Sequence, residues 1–313
     1  MTNKNSFGEN IPLLKEIVRD IPARQYILET LTMVLENLGA VNPSETAKKI
    51  WCLAETETKL STYEQAANAF LKKRGVLPEQ VQAALCGRTE LVYRQIKPYI
   101  NGPNILDIGC GDGNIGARLS QDGFEVTLAD VYKHPNIDTL KLPFVQFSQD
   151  NAIPTREKYN TTLLLTVLHH SDDPLKTLDD AIKRTRNGGN LVVIESVYGV
   201  DKGARDPTWS TLSRQRTNQF RDLSKEQQLK ANIFFDHFYN RIIHYSENEK
   251  QKVNIPFNFR QPLRLIEPKE LLEEGWENIF YEKGLKSVHF EYLGIDQPVV
   301  PEYHTLHILK KLK

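Results

Sequence analysis

Residues 105–113 read Ile-Leu-Asp-Ile-Gly-Cys-Gly-Asp-Gly, and this stretch decides the fold. An apolar run gives way to three glycines at alternate positions, Gly109, Gly111 and Gly113. Glycine lets a backbone turn tightly and approach a ligand closely, so the stretch reads as a strand passing into a helix through a binding loop. A dinucleotide fingerprint would place its third glycine at position 114, which is Asn114 here. Asp107 points the same way: a carboxylate two residues before the first glycine repels a phosphate and suits an ammonium or a sulfonium.

Downstream, short apolar runs alternate with helix-like segments: NILDIG, FEVTLAD, PFVQF, TTLLLTVL and NLVVIES. Such alternation predicts an α/β fold with a parallel sheet built from βαβ units. Asp130 ends the second run, at the distance where nucleotide-binding α/β folds place an acid for ribose hydroxyls. The helical pattern PKELLEEGWENIFYEKG precedes two alternating runs, LKSVHFEYL and HTLHILKKL, which predict an antiparallel hairpin closing the sheet edge.

Upstream, residues 1–100 are helical in pattern, with apolar residues at three- and four-residue spacing. Asn42-Pro43-Ser44-Glu45 and Ser61-Thr62-Tyr63-Glu64 read as helix starts; Gly39, Gly75 and Gly102 read as stops. This all-helical region is expected to roof a pocket or to form a homodimer interface, and residues 101–313 to form the domain that carries the loop. From about residue 200 to 265 the alternation stops, and the segment reads as a helical insertion after the fifth strand, placed to act as a substrate lid.

Charge narrows the function. The 313 residues hold 40 Lys and Arg against 40 Asp and Glu, which argues against a general nucleic-acid binder. TTLLLTVL is too short to span a bilayer, and MTNKNSFGENIPLL lacks the basic and apolar blocks of a signal peptide, so a cytoplasmic protein without membrane attachment is expected. Cys52, Cys86 and Cys110 fit neither a disulfide framework nor a metal pattern.

The stretch from about 103 to 196 resembles class I S-adenosylmethionine-dependent methyltransferases. Their first motif is carried by Leu106-Asp107-Ile108-Gly109-Cys110-Gly111-Asp112-Gly113, and their second-strand acid by Asp130. The signature after their fourth strand is similar to Val167-Leu168-His169-His170-Ser171-Asp172-Asp173-Pro174, followed by the helix LKTLDDAIKRTRNGG and the fifth strand LVVIES. The resemblance implies a Rossmann-like, seven-stranded, mostly parallel sheet with a terminal antiparallel hairpin. It also implies S-adenosylmethionine as cofactor and S-adenosylhomocysteine as product. Carried over residue by residue, Asp107 with Gly109, Cys110 and Gly111 would hold the methionine amine and the turn. Asp130 would take the ribose hydroxyls, Asp150 the adenine amino group, and Thr166 and Leu168 would line the sulfonium end. A gapless alignment puts Ser148 in the place given to Asp150.

Methyl transfer is an in-line displacement, so much of the catalysis comes from holding three atoms collinear in a dry pocket. Where the acceptor loses a proton, imidazole is well matched to take it. His170 and its neighbour His169 leave the fourth strand at the crevice, with His170 favoured as the base; Glu195 leaves the fifth strand at the same crevice as a substrate contact. In the insertion, His237, Asn240, Arg241 and His244 share one helical face, opposite Phe235, Phe238 and Ile242. His237 and Arg241 are candidates for holding an acceptor; the same face also suits a solvated surface. No metal is expected, because His237 and His244 stand seven residues apart and no HExxH occurs.

Residues 201–264 contain twelve Lys and Arg against seven Asp and Glu, which favours an anionic acceptor. The reading is a methyltransferase acting on a small molecule at O, N or C. An RNA methyltransferase and a non-catalytic cofactor-binding module are the alternatives; a nicotinamide-dependent oxidoreductase is disfavoured by Asn114 and Asp107.

Overall fold

The apolar runs become strands in the computed structural model, which describes residues 11–148, 153–171, 173–196, 211–243, 279–294 and 303–312. These are β1 (Asn104–Ile108), β2 (Glu125–Asp130), β3 (Phe144–Gln146), β4 (Tyr159–Leu165), β5 (Thr185–Ser196), β6 (Leu285–Gly294) and β7 (His304–Lys311). They form one sheet in the order β3-β2-β1-β4-β5-β7-β6. The first five pair in parallel, and β7 runs antiparallel to β5. The α/β class, the seven strands and the terminal hairpin are those expected. Strand order reverses between β1 and β4, so a ligand crevice is expected outside their carboxyl ends.

The helices are α1 (Ile11–Arg19), α2 (Ile21–Asn37), α3 (Pro43–Thr56), α4 (Leu60–Lys73), α5 (Pro78–Ile96), α6 (Asn114–Gln121), α7 (Ile137–Leu140), α8 (Pro174–Arg184), α9 (Thr211–Asp222) and α10 (Lys225–His237). A π-helical turn, Phe238–Ile243, continues α10. No helix among the described residues is long and apolar enough to cross a membrane.

The chain forms two compact units. One, the sheet unit, comprises Cys86–Val197, Gln261–Leu293 and His304–Lys313; the other, the helical unit, comprises Met1–Leu85, Tyr198–Arg260 and Gly294–Tyr303. The core of the sheet unit joins Ile105, Leu128, Leu163, Val192 and Ile308 to Val92, Tyr93 and Ile96 of α5. Burying each of these aliphatic side chains contributes about 1.5–3 kcal/mol. The segment read as an insertion packs with the N-terminal helices: Phe234 of α10 lies 5.7 Å from Trp51 of α3, and Phe220 of α9 lies 5.8 Å from Tyr26 of α2. Its aromatic side chains thereby complete the helical core, which is why α10 is buried nearly all round.

Two boundaries differ from the sequence reading. TRNGG, read as the end of a helix, opens β5, because α8 stops at Arg184 and Thr185 pairs with Tyr159. TTLLLTVL does not remain extended to Leu168: β4 ends at Leu165, and a 3-10 turn occupies Leu168–His170. Of the helix PKELLEEGWENIFYEKG, only the last residues lie among those described, and residues 279–282 are helical.

Candidate active site

The loop after β1 has the backbone its glycines predict. Gly109, Gly111 and Gly113 take φ of 69°, 53° and 77°, a left-handed region that side chains rarely occupy. Gly109 is also needed for space: a Cβ there would lie 2.5 Å from Cγ2 of Val167, so the loop is pressed against the residues leaving β4. At Gly111 a Cβ would meet nothing within 4 Å, which leaves an open, exposed face of backbone. The N–H groups of Gly109 and Cys110 donate to Ala129 O, and Asn136 donates to Asp112 O at 2.8 Å, fixing the loop over β2.

Two carboxylates lie beneath this loop. Asp130, half-buried at the end of β2, accepts from Gly111 N–H at 2.9 Å and Tyr132 N–H at 3.2 Å, and burial raises its acidity range. Asp107 is 3% exposed, and burial, reinforced by the charges of Asp130 and Asp112, pushes its pKa up to about 7. No ion pair reaches Asp107 among the described residues. A buried acid beside other acids is relieved by a cation, and the open backbone at Gly111 gives that cation room. The site therefore fits a ligand that joins an ammonium and a sulfonium to a ribose, as S-adenosylmethionine does. Cys110 is buried beside the same acids, and burial pushes its thiol up. It packs within the loop as an inert thiol.

The carboxyl end of β4 carries backbone strain. Thr166 has φ of 60°, an outlier for a β-branched residue, and is held there by its N–H donating to Ile194 O at 2.6 Å. Arg88 of α5 donates to Thr166 Oγ1 at 3.1 Å. The sequence reading missed Arg88, because a lone arginine in Cys86-Gly87-Arg88 belongs to no motif. Leu168 is buried, and its N–H donates to Glu195 Oε2 at 2.8 Å. Glu195, also buried, is hydrogen-bonded to His169 Nδ1 and accepts from Ser196 N–H at 3.0 Å. His170 is half-buried, its ring 4.0 Å from that of His169. Thr166, Leu168, His169, His170 and Glu195 are thus brought together. Glu195, expected as a substrate contact, is engaged instead by Leu168 and His169 of the turn and by Ser196 of its own strand.

His237 and Arg241 belong to the helical unit. His237 Nε2 lies 3.0 Å from Oε1 of Glu64, and Arg241 donates to both Glu64 oxygens at 3.3 Å. Tyr63 stacks on His237 at 5.9 Å. The π-helical turn shifts the spacing assumed for a regular helix, and the expected acceptor-binding face becomes an internal ion cluster between α4 and the end of α10. Asp150 and His244 lie outside the described residues.

A sheet of this strand order, with a glycine loop at its switch point and two acids beneath the loop, defines the class I S-adenosylmethionine-dependent methyltransferase fold. The family model described as "Methyltransferase domain" matches residues 65–246, more than half of the chain. The chain belongs to the methyltransferase domain family; it is a methyltransferase and S-adenosylmethionine is its methyl donor. Over 202 residues it is 27% identical to the ubiquinone biosynthesis O-methyltransferase of Aliivibrio fischeri (strain MJ11), covering 61% of this chain and 70% of that one. Among solved structures it is similar to the 1,6-didemethyltoxoflavin-N1-methyltransferase of Burkholderia thailandensis (13% identity, TM-score 0.44), covering 74% of this chain and 79% of that one. It is also similar to the magnesium protoporphyrin IX methyltransferase of Synechocystis PCC 6803 (12% identity, TM-score 0.43), covering 75% and 89%.

Proposed function

We propose that the protein transfers a methyl group to an oxygen of a small-molecule acceptor. The observation that carries this reading is the crowding of proton-accepting side chains, His169, His170 and Glu195, onto the ends of β4 and β5, where Val167 touches the glycine loop. Oxygen acceptors lose a proton on methylation, and imidazoles beside the donor site meet that need. The relatives named for ubiquinone biosynthesis are O-methyltransferases, which supports the choice of oxygen.

When bound, S-adenosylmethionine supplies an electrophilic methyl group. In this reading Asp107 opposes the methionine ammonium, the loop backbone at Gly109 and Gly111 gives it passage, and Asp130 receives the ribose hydroxyls. Arg88, held at Thr166, meets the methionine carboxylate, and Asp150 is assigned to the adenine. An anionic acceptor is favoured by the basic residues of 201–264, and the exposed thiols Cys52 and Cys86 suit the reducing cytoplasm. A homodimer through the helical region completes the proposal.

Calorimetric titration with S-adenosylmethionine, S-adenosylhomocysteine and NAD tests the cofactor assignment: the first two are expected to bind and NAD is not. Methyl transfer from labelled donor to a panel of phenols, carboxylates and amines then tests the acceptor. Product confined to amines would overturn the oxygen assignment.

A further inference from the structure

Asn114 stands where a dinucleotide fingerprint has its third glycine, and its side chain is at work there. It is the first residue of α6; its N–H donates to Oδ1 of Asp112 at 3.1 Å, and its Nδ2 donates to Oδ2 of the same carboxylate at 2.6 Å. Both oxygens of Asp112 are thereby held by one residue, at the end of a helix where backbone N–H groups and the dipole ordinarily attract an anion. Asn136, just before α7, locks the pair. Its Nδ2 donates to Asp112 O at 2.8 Å and to Oδ1 of Asn114 at 3.3 Å, while its own Oδ1 accepts from Thr139 Oγ1 at 3.1 Å. Packing leaves the loop little slack: a Cβ on Gly113 would lie 2.7 Å from Cδ1 of both Ile137 and Leu140.

We infer that Asp112, held by Asn114 and Asn136, is a specificity-determining residue of the glycine loop: it fills the anion position at the start of α6 with the protein's own carboxylate and keeps out nucleotides that carry a 5′-phosphate. The inference rests on the nucleoside placed at Asp130 in the proposed function and gives a role to three residues outside that placement.

The donors of the loop support this reading. A phosphate-binding loop turns its N–H groups toward the ligand. Here Gly109 and Cys110 donate to Ala129 O, Gly113 donates to Cys110 O, Gly111 donates to Asp130, and Asn114 donates to Asp112. The loop keeps these hydrogens for itself. Charge acts in the same direction. A phosphate over the exposed backbone of Gly111 would face Asp112, Asp130 and the buried Asp107, whose ionisation the charge of Asp112 already opposes. The same acids favour a sulfonium and an ammonium. The third glycine of a dinucleotide loop makes room for the pyrophosphate at the helix; a side chain at position 114 instead brings a carboxylate to that place.

The test is competition on the full chain loaded with S-adenosylhomocysteine, with adenosine and adenosine 5′-monophosphate as displacing ligands. They differ by one phosphate, and the ratio of their affinities reads the exclusion. The unmodified protein should prefer adenosine by about a hundredfold. Asp112→Asn keeps the shape and removes the charge; it should cut the ratio about tenfold and leave adenosine binding little changed. Asn114→Gly restores the third glycine and should act in the same direction, which gives a second variant if Asp112→Asn does not fold. Asn136→Ala removes no charge, yet should cut the ratio about threefold by letting the carboxylate turn away. A role confined to folding would weaken both ligands alike and leave the ratio intact.

A ratio near one in the unmodified protein overturns the inference. So does a ratio that Asp112→Asn and Asn114→Gly both leave unchanged, which would assign the exclusion to Asp107 and Asp130. If neither adenosine nor S-adenosylhomocysteine binds, the nucleoside placement itself fails and the inference falls with it. If both bind and the ratio does not move, the inference falls alone, so the two failures are distinguishable.

Discussion

The two units treat a buried carboxylate in opposite ways. In the helical unit Glu64, 1% exposed, lies against His237 and Arg241; burial alone would raise its acidity range, but the hydrogen bond and charge of His237 and the charge of Arg241 hold it below the usual one. In the sheet unit Asp107 is as deeply buried, yet its neighbours are Asp130 and Asp112, and its pKa is pushed up to about 7. A buried carboxylate compensated by cations inside the protein serves the fold, whereas one left among like charges is a candidate for compensation by a ligand. Two carboxylates, equally hidden, thus meet cationic neighbours in one unit and acidic neighbours in the other.

Breaking the compensated charge should have the largest effect. Glu64→Ala strands Arg241 and His237 inside the helical unit and should lower stability by about 3–5 kcal/mol. Urea unfolding measures this, and a loss below about 1 kcal/mol would dissolve the contrast. Asp107→Asn should do the reverse. Cofactor binding should weaken by about 2–5 kcal/mol, because the buried partner of a cation is gone. The fold should be no less stable at neutral pH: the folded acid is raised, so the native protein holds this proton more tightly and gains stability as pH falls from about 7, a dependence the Asn variant loses. Calorimetry and thermal unfolding of one sample read both.

Asp130→Ala sharpens the comparison at a half-buried acid. Its hydrogen bonds to ribose are expected to contribute about 1.5–3 kcal/mol, and unchanged affinity in a folded variant would remove it from the site. The smallest effect is that of pH on the unmodified protein. A cationic ligand expels the proton that Asp107 holds below about 7, so affinity for S-adenosylmethionine should fall about tenfold per pH unit on the acid side and level off above. A flat profile from pH 5 to 8 would mean that Asp107 is already ionised in the free protein.

Local pattern made much of this legible. Apolar runs of five to eight residues became β1 to β5, and the glycines at 109, 111 and 113 adopted the backbone that only glycine takes readily. Asp107 and Asp130 could be picked out because their position relative to the loop carries meaning along the chain. Partners distant in sequence could not. His237 and Glu64 are 173 residues apart, Arg88 and Thr166 are 78 apart, and no spacing rule connects them. Periodicity showed a polar face on α10 without showing that α4 would supply a carboxylate to cover it. Arg186-Asn187-Gly188-Gly189 has the composition of a turn, and although it lies within the span of β5 it forms the irregularity at which the pairing with β4 jumps from Thr185 to Asn190, with Gly188 at φ of 73°.

The sheet order has a kinetic consequence. β7 does not extend the sheet beyond β6; it lies between β5 and β6. β6 leaves the ribosome first, but its neighbour in the sheet is the strand that follows it. Until residues 304–311 arrive, β5 presents Val192, Val193 and Ile194 along an open edge, the kind of surface on which nascent chains associate. β7 thus acts as a keystone: by lying between β5 and β6 it closes the edge that β5 would otherwise present.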